Sequence, residues 1–410
     1  MLCPATLTRS SRAMAGTGER SRPVVLLAAG LLMLVLAAPQ PAAAYRLAMY
    51  VYTAPGPDAD GTERPADCQL LMIEPARDRF TLGSPSWSPD GTQVVFDASY
   101  HGRDPFLFVV NVQTDATNNL GRGCVPSWRP DGQTITFARV DEKWDLRGLF
   151  DVATTTDVPE AIVDAEPRRN GSDEGPRDLT FVAPGSHPQW TADGQFLLFH
   201  QKHTNNPETL GLRDAGQQSY LVLMPEGRTL KSRPRMAGNN SFTAIASNVA
   251  DGYDARIERF FFTKDDGAEW DESASPPTIR VKAEPLVNWG QLDSRIGETT
   301  PGGGLKWFTE TSMAGETGEL FFRVEVKRPR EGDEFPQATP DDEDLVVVDE
   351  IWRRSPEGEL SPVLRGWPGV QLRDFAITAD GRRLVFCSDL IEEEEQDGEI
   401  RFAEDLIVGK

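Results

Sequence analysis

Four histidines and four cysteines in 410 residues leave little material for metal or thiol chemistry. The cysteines, Cys3, Cys68, Cys124 and Cys387, form no C-x-x-C pair, which argues against a zinc ribbon, and none has a histidine close by in sequence to activate it. No G-x-S-x-G elbow occurs, and the chain has no room for a hydrolase domain beside its repeats, so serine hydrolysis is set aside. Nor is there a phosphate-cradling glycine loop. Pro301-Gly302-Gly303-Gly304 reads as a turn ahead of a strand at 305–308. Sustained helical periodicity is missing too, which speaks against a bundle. Basic residues are outnumbered, 42 against 64 acidic, giving a net charge of −22. A field of that sign repels phosphate backbones and makes nucleic acid a poor partner.

What is abundant is turn chemistry, with 36 Gly and 31 Pro. This composition fits many short strands better than a few long helices. Residues 1–44 read as a signal peptide: Arg9, Arg12, Arg20 and Arg22 precede an apolar run over 24–38, followed by Pro39 and Ala42-Ala43-Ala44. The run is shorter than the ~20 residues a membrane-spanning helix needs. Cleavage after Ala44, with initiation at Met1 or Met14, leaves residues 45–410 as the exported, periplasmic or secreted part. Four arginines and Glu19 leave with the signal, so that part carries −25. Cys3 leaves as well, and the three remaining cysteines allow at most one intramolecular pair; buried small hydrophobes are the expectation.

A repeat organises the rest. Pro85-Ser86-Trp87-Ser88-Pro89-Asp90-Gly91 leads into Val94-Val95-Phe96, and Pro126-Ser127-Trp128-Arg129-Pro130-Asp131-Gly132 into Ile135-Thr136-Phe137. Trp190-Thr191-Ala192-Asp193-Gly194 precedes Phe196-Leu197-Leu198-Phe199, and Phe375-Ala376-Ile377-Thr378-Ala379-Asp380-Gly381 precedes Leu384-Val385-Phe386. In each copy an Asp-Gly turn joins two apolar strands: Gly supplies positive φ and Asp bonds its own backbone. Two degenerate copies are expected in the long gap before Asp380, one at Asp251-Gly252 ahead of Ile257 and Phe260, the other at 315–318 ahead of Leu320-Phe321-Phe322. Second hairpins are read at 106–112, 220–227 and 346–358. Four strands per unit and six units predict an all-β, six-bladed β-propeller with four-stranded antiparallel blades, seven blades being the alternative. The ring would close through the chain ends: 400–408 would be the third strand of the last blade, and either 46–52 or 69–73 the fourth.

These motifs resemble the WD40-like (PD40) repeat of the TolB family of bacterial periplasmic propellers, close to P-x-W-S-P-D-G followed by an apolar strand. Trp87 to Phe96 matches nearly throughout; Arg129, the lost Ser-Pro before Asp193 and the replaced Trp before Asp380 are departures. Only about 40 residues separate Ala44 from Pro85, too few for the α/β domain that precedes the propeller of TolB itself. The resemblance therefore implies a TolB-like propeller of the kind that mediates protein contacts, and not TolB.

No catalytic, cofactor-binding or metal-binding residue is assigned. The repeat Trp and Phe are read as inter-blade filling, and Asp90, Asp131, Asp193 and Asp380 as turn residues. His200 and His203, with His101, form the one constellation pointing to an alternative, a metal-assisted polysaccharide lyase-like enzyme or oligosaccharide binder. Asp58, Asp60 and Glu63 lack calcium-loop spacing. The acidic runs 341–343 and 392–395 and the polar insert 166–177 read as solvated loops. The expectation is a monomeric, non-catalytic interaction or ligand-binding module with no cofactor, whose partner is an envelope protein with a basic or neutral surface.

Overall fold

The structure is a computed structural model that describes residues 46–57, 63–64, 66–73, 80–100, 105–140, 146–156, 179–201, 209–217, 219–225, 227–248, 255–329, 345–366 and 371–390. The first strand, β1 (Arg46–Thr53), is followed by a small ribbon, β2 (Gly56–Pro57) with β3 (Glu63–Arg64), and by β4 (Asp67–Ile73). Blade 1 holds β5 (Phe80–Trp87), β6 (Gln93–Tyr100), β7 (Phe106–Asn111) and β8 (Thr117–Arg122); blade 2 holds β9 (Cys124–Trp128), β10 (Thr134–Val140), β11 (Leu146–Ala153) and β12 (Thr180–Ala183). Blade 3 holds β13 (Ser186–Trp190), β14 (Phe196–His200), β15 (Leu210–Asp214) and β16 (Tyr220–Met224).

Blade 4 begins with a broken inner strand, β17 (Arg228–Leu230) and β18 (Arg235–Met236), both paired to β19 (Ser241–Asn248), and continues with β20 (Arg256–Phe261). From this blade a hairpin, β21 (Glu269–Asp271) and β22 (Thr278–Arg280), reaches back and pairs in parallel with β16, widening the sheet of blade 3 to six strands. The chain then returns as β23 (Lys282–Asn288) and enters α1 (Trp289–Thr299), the one helix among the described residues. Blade 5 is β24 (Gly304–Met313), β25 (Leu320–Pro329), β26 (Leu345–Arg354) and β27 (Leu360–Arg365). Blade 6 starts with β28 (Leu372–Ile377) and β29 (Arg383–Leu390) and is completed by β1 and β4, in the order β28-β29-β1-β4.

The six-bladed architecture is as the repeat predicts, with three corrections. Both N-terminal strands enter blade 6, β1 as third and β4 as fourth, so the third place assigned to 400–408, which lies outside the described residues, is filled by β1. The turn of blade 4 is formed around Gly238, with φ +85°, between β18 and β19, and Asp251-Gly252 lies outside the described residues. The segment at 220–227 supplies the outer strand of blade 3 and the passage to blade 4, where a third-to-fourth-strand hairpin was expected.

Six hydrophobic clusters occupy the six gaps between neighbouring blades. Strand periodicity produces this: in β6, Val94 and Phe96 face blade 6 while Val95 faces blade 2; in β14, Phe196 and Leu198 face blade 4 while Leu197 and Phe199 face blade 2. Both faces of a blade's middle strand are buried, which is why these strands read as unbroken apolar runs. α1 fills the gap between blades 4 and 5 with Leu292 and Ile296. Its start is fixed by a capping box, the Asn288 side chain accepting from the Gln291 amide while the Gln291 side chain accepts from the Asn288 amide.

Candidate functional site: a polar ring on the propeller axis

The inner strands β28, β5, β9, β13, β18 and β24 each touch the next around a closed ring and so line the central axis. Each inner strand ends in a turn closed by a backbone hydrogen bond, donated by Ser88, Arg129, Thr191, Ala237, Ala314 and Thr378 in blades 1 to 6. Four residues before each donor stand Ser84, Val125, His187, Arg233, Glu310 and Asp374. One architectural position thus carries a hydroxyl, an apolar group, an imidazole, a guanidinium and two carboxyls. Four of the six lie in the left-handed region, Ser84 (φ 50°), Val125 (φ 50°), His187 (φ 53°) and Asp374 (φ 31°), at register shifts of their strands. A non-glycine residue pays for such a conformation, and its recurrence at one place in four blades marks a β-bulge built into the repeat that re-aims this side chain.

Ser84, Val125, His187 and Arg233 line a small pocket of about 10 Å³, room for about one water. Arg233 reaches across: its Nη1 lies 3.9 Å from Asp374 Oδ1, while Asp374 Oδ2 accepts from the Ser84 amide at 3.3 Å. Asp97, from β6, stands beside this pair and accepts from the Val125 amide at 2.7 Å. Gly83 separates the two carboxylates: a Cβ there would fall 2.9 Å from Asp374 Oδ2 and 3.1 Å from Asp97 Oδ1. Burial raises the Asp97 carboxyl to about 6, the Val125 amide opposing, with Asp374 adding to the rise and Arg233 moderating it. On the other side Arg235 Nη2 meets the buried Glu310 Oε1 at 2.8 Å.

His200 sits at the end of β14 with its ring 5.1 Å from that of His187, and its buried Nε2 has no hydrogen-bond partner among the described residues. Burial, reinforced by Arg233, pushes His187 down to about 2 and His200 to about 4, so both are neutral at physiological pH. Of the sequence constellation, His200 alone is placed at the axis; His101 and His203 lie outside the described residues, as do Asp58, Asp60, 1–44, 166–177, 341–343 and 392–395. Among the described residues no three His, Cys, Asp or Glu side chains are gathered as for a metal ion. His187, Arg233, Glu310, Asp97 and Asp374 were not singled out from the sequence. Only His187 and Asp374 carry a signal, a fixed spacing: like Ser84 and Val125, each precedes a repeat aspartate by six residues.

The repeat residues fall where turn chemistry places them. Asp90, Asp131, Asp193 and Asp380 each accept, through Oδ1, from the amide two residues on, and the following glycines have φ between 66° and 72°. Cys124 and Cys387 are free thiols, Cys387 fully buried. Away from the axis, a groove of about 480 Å³ runs between α1 and β27, where Arg295 is engaged by Glu298 at 2.7 Å. Among the described residues no helix is long and apolar enough to cross a membrane.

No family model matches the chain. Among solved structures it is similar to the putative TolB of Agrobacterium tumefaciens, at 11% identity over 84% of this chain and 98% of that one, with a TM-score of 0.50. TolB of Acinetobacter baumannii matches at 14% identity over 88% of this chain and 66% of that one, TM-score 0.42, and an oligogalacturonate lyase in complex with manganese at 11% identity over 85% and 80%, TM-score 0.40. Identities this low bear on the fold alone: the chain folds as a TolB-like six-bladed propeller.

Proposed function

We propose that this chain is an exported propeller acting as a non-catalytic interaction module, and that it binds a protein partner of the cell envelope at the mouth of its central channel. The observation that carries the reading is the axial ring. Six equivalent positions on a pseudo-symmetric scaffold hold chemically different side chains, and a binding surface needs such variety to discriminate one partner from another, whereas stability would be served by filling them alike. Residues 1–44 act as the export signal, and the surface of charge −25 left after cleavage favours a basic or neutral partner.

The test is capture of envelope proteins on purified residues 45–410, eluted in rising salt, beside a variant with Arg233→Glu at the axis. The expected result is one stoichiometric partner that elutes as salt screens the contact and is lost from the axial variant. The alternative, a metal-assisted lyase-like enzyme using His200, predicts a bound divalent ion, loss of stability with chelator and turnover of acidic oligosaccharides abolished by His200→Ala. Those results, with no partner recovered even after crosslinking, would overturn the interaction reading.

A further inference from the structure

We propose that the segment 400–408 docks on an uncovered shelf of blade 5 and buries Trp307 and Val347; the proposal goes beyond the partner reading and does not depend on it. These are two of the four large hydrophobic side chains that stand exposed among the described residues, at 43% and 39%. They share one face of one sheet. Trp307 pairs with Glu325, Glu325 with Asp349 and Lys327 with Val347, while Phe308, Val324, Val326 and Val348 at the alternate positions fill the gap toward blade 4. The first set therefore lies on the side of Phe321 and Ile351, which pack against blade 6. Blade 6 covers only part of that side. Its inner strand begins at Leu372, whose amide donates to Asp349 Oδ2 at 2.9 Å and whose carbonyl accepts from Arg323 Nη1, and β25 and β26 run on past this level to Pro329 and Leu345.

The chain carries a segment suited to this place. β29 ends at Leu390; since Ser388 pairs with Leu372, and Leu372 meets Asp349, Leu390 and Val347 each stand two residues beyond the same level, at the same end of the molecule. From there 391–399 lead to Ile400-Arg401-Phe402-Ala403-Glu404-Asp405-Leu406-Ile407-Val408, which lies outside the described residues. Its alternate residues Ile400, Phe402, Leu406 and Val408 are apolar, the pattern of a strand with one buried face. The outer positions of blade 6, where such a strand would otherwise go, are filled by β1 and β4. The nine residues 391–399 reach about 30 Å when extended, against about 10 Å between packed sheets, so the shelf is within range. Charge agrees with this occupant. Lys306, Arg323 and Lys327 outnumber Glu325 and Asp349 on the shelf, whereas 391–408 holds eight acidic residues and Arg401 as its one basic residue.

Oxidation of Trp307 by hydroxyl radicals, read by mass spectrometry, tests the contact in purified residues 45–410, in the same protein carrying Phe402→Asp with Leu406→Asp, and in a chain ending at Glu399. The fully buried Trp352 serves as internal reference. The full chain should oxidise Trp307 slowly and both altered chains severalfold faster, with Trp352 unchanged and cooperative unfolding retained. A carbodiimide crosslink from Glu404 or Asp405 to Lys306 or Lys327, expected in the full chain, fixes the contact as direct. Equal Trp307 rates in the three proteins would overturn the proposal. So would protection that fades on dilution and ignores both changes, which would give the shelf to a second copy of the chain. If the shortened chain does not fold, the double variant decides the matter. No partner protein enters this experiment, so its failure leaves the interaction reading to the capture test, and failure of the capture leaves the docked segment standing.

Discussion

Each repeat tryptophan does two things in the first three blades: it fills an inter-blade gap and donates its indole N–H to the preceding blade. Trp87 donates to the Ala376 carbonyl at 3.2 Å, Trp128 to the Ser86 carbonyl at 3.1 Å and Trp190 to Thr136 Oγ1 at 2.8 Å. Trp128→Ala should cost about 4 kcal/mol and Trp128→Phe about 1–2, the second being the hydrogen bond with little lost volume, as read by urea unfolding. Asp97 gives a prediction whose sign is fixed. Its folded value of about 6 lies above the ordinary 3.8, so the folded protein keeps a proton the unfolded chain has released. The stability it contributes is complete below pH 3.8, falls as pH rises through 6 and is absent above. Asp97→Asn should therefore flatten the stability profile between pH 4 and 7 by on the order of 2 kcal/mol, the full displacement being reduced by screening from water at the channel. An unchanged profile would mean that another group carries that titration.

Turns and caps are the elements whose chemistry the residues announce most plainly. Gly132 stands at φ +67° with nothing within 4 Å of a Cβ, so Gly132→Ala should cost about 1 kcal/mol through backbone conformation alone. At Gly83, where space and not φ is the constraint, Gly83→Ala should cost more and should also disturb the axial carboxylates. Asn288→Ala removes the cap of α1 and should cost about 1 kcal/mol, with faster amide exchange in the first helical turn. Four Asp-Gly turns and the apolar returning strands were legible because each is a local rule. Blade 4 was misregistered because its turn runs through Gly238-Asn239-Asn240, where Asn239 is occupied in accepting from the Asp193 amide of blade 3. The helix escaped notice because eleven residues with two buried positions make a weak periodicity, although Asn288 and Gln291 carried its capping signal. The bulge at Ser84, Val125, His187 and Asp374 has no residue-type signature, since it is a property of the backbone; its trace in the sequence is the six-residue spacing to the repeat aspartates, and that spacing does not say which side chains meet at the axis.

At the scale of the whole molecule, closure is the organising fact. Blade 6 draws β28 and β29 from the C-terminal part and β1 and β4 from the N-terminal part, with β1 paired to β29 from Arg46–Leu390 through Thr53–Arg383. Deleting residues 45–73 would strip blade 6 to two strands and expose the cluster that joins Met49 and Val51 to blade 1, so the truncated chain should lose cooperative thermal unfolding rather than merely one blade. That the blade count could be read from repeat spacing, while the share of each terminus could not, has a physical reason: strand pairing between distant segments leaves no local trace. The same holds for function, because the scaffold is common to its blades and the working groups are the departures from it. The account's central claim is that the axial mouth is where the partner is held. The most direct test places a photo-crosslinking residue at Gln189, beside the ring, or at Arg295, on the groove by α1, and maps the products in envelope extracts. The account predicts one discrete adduct from position 189 and none from 295; an adduct from 295 alone would place the binding surface on the flank of blade 5 and contradict it.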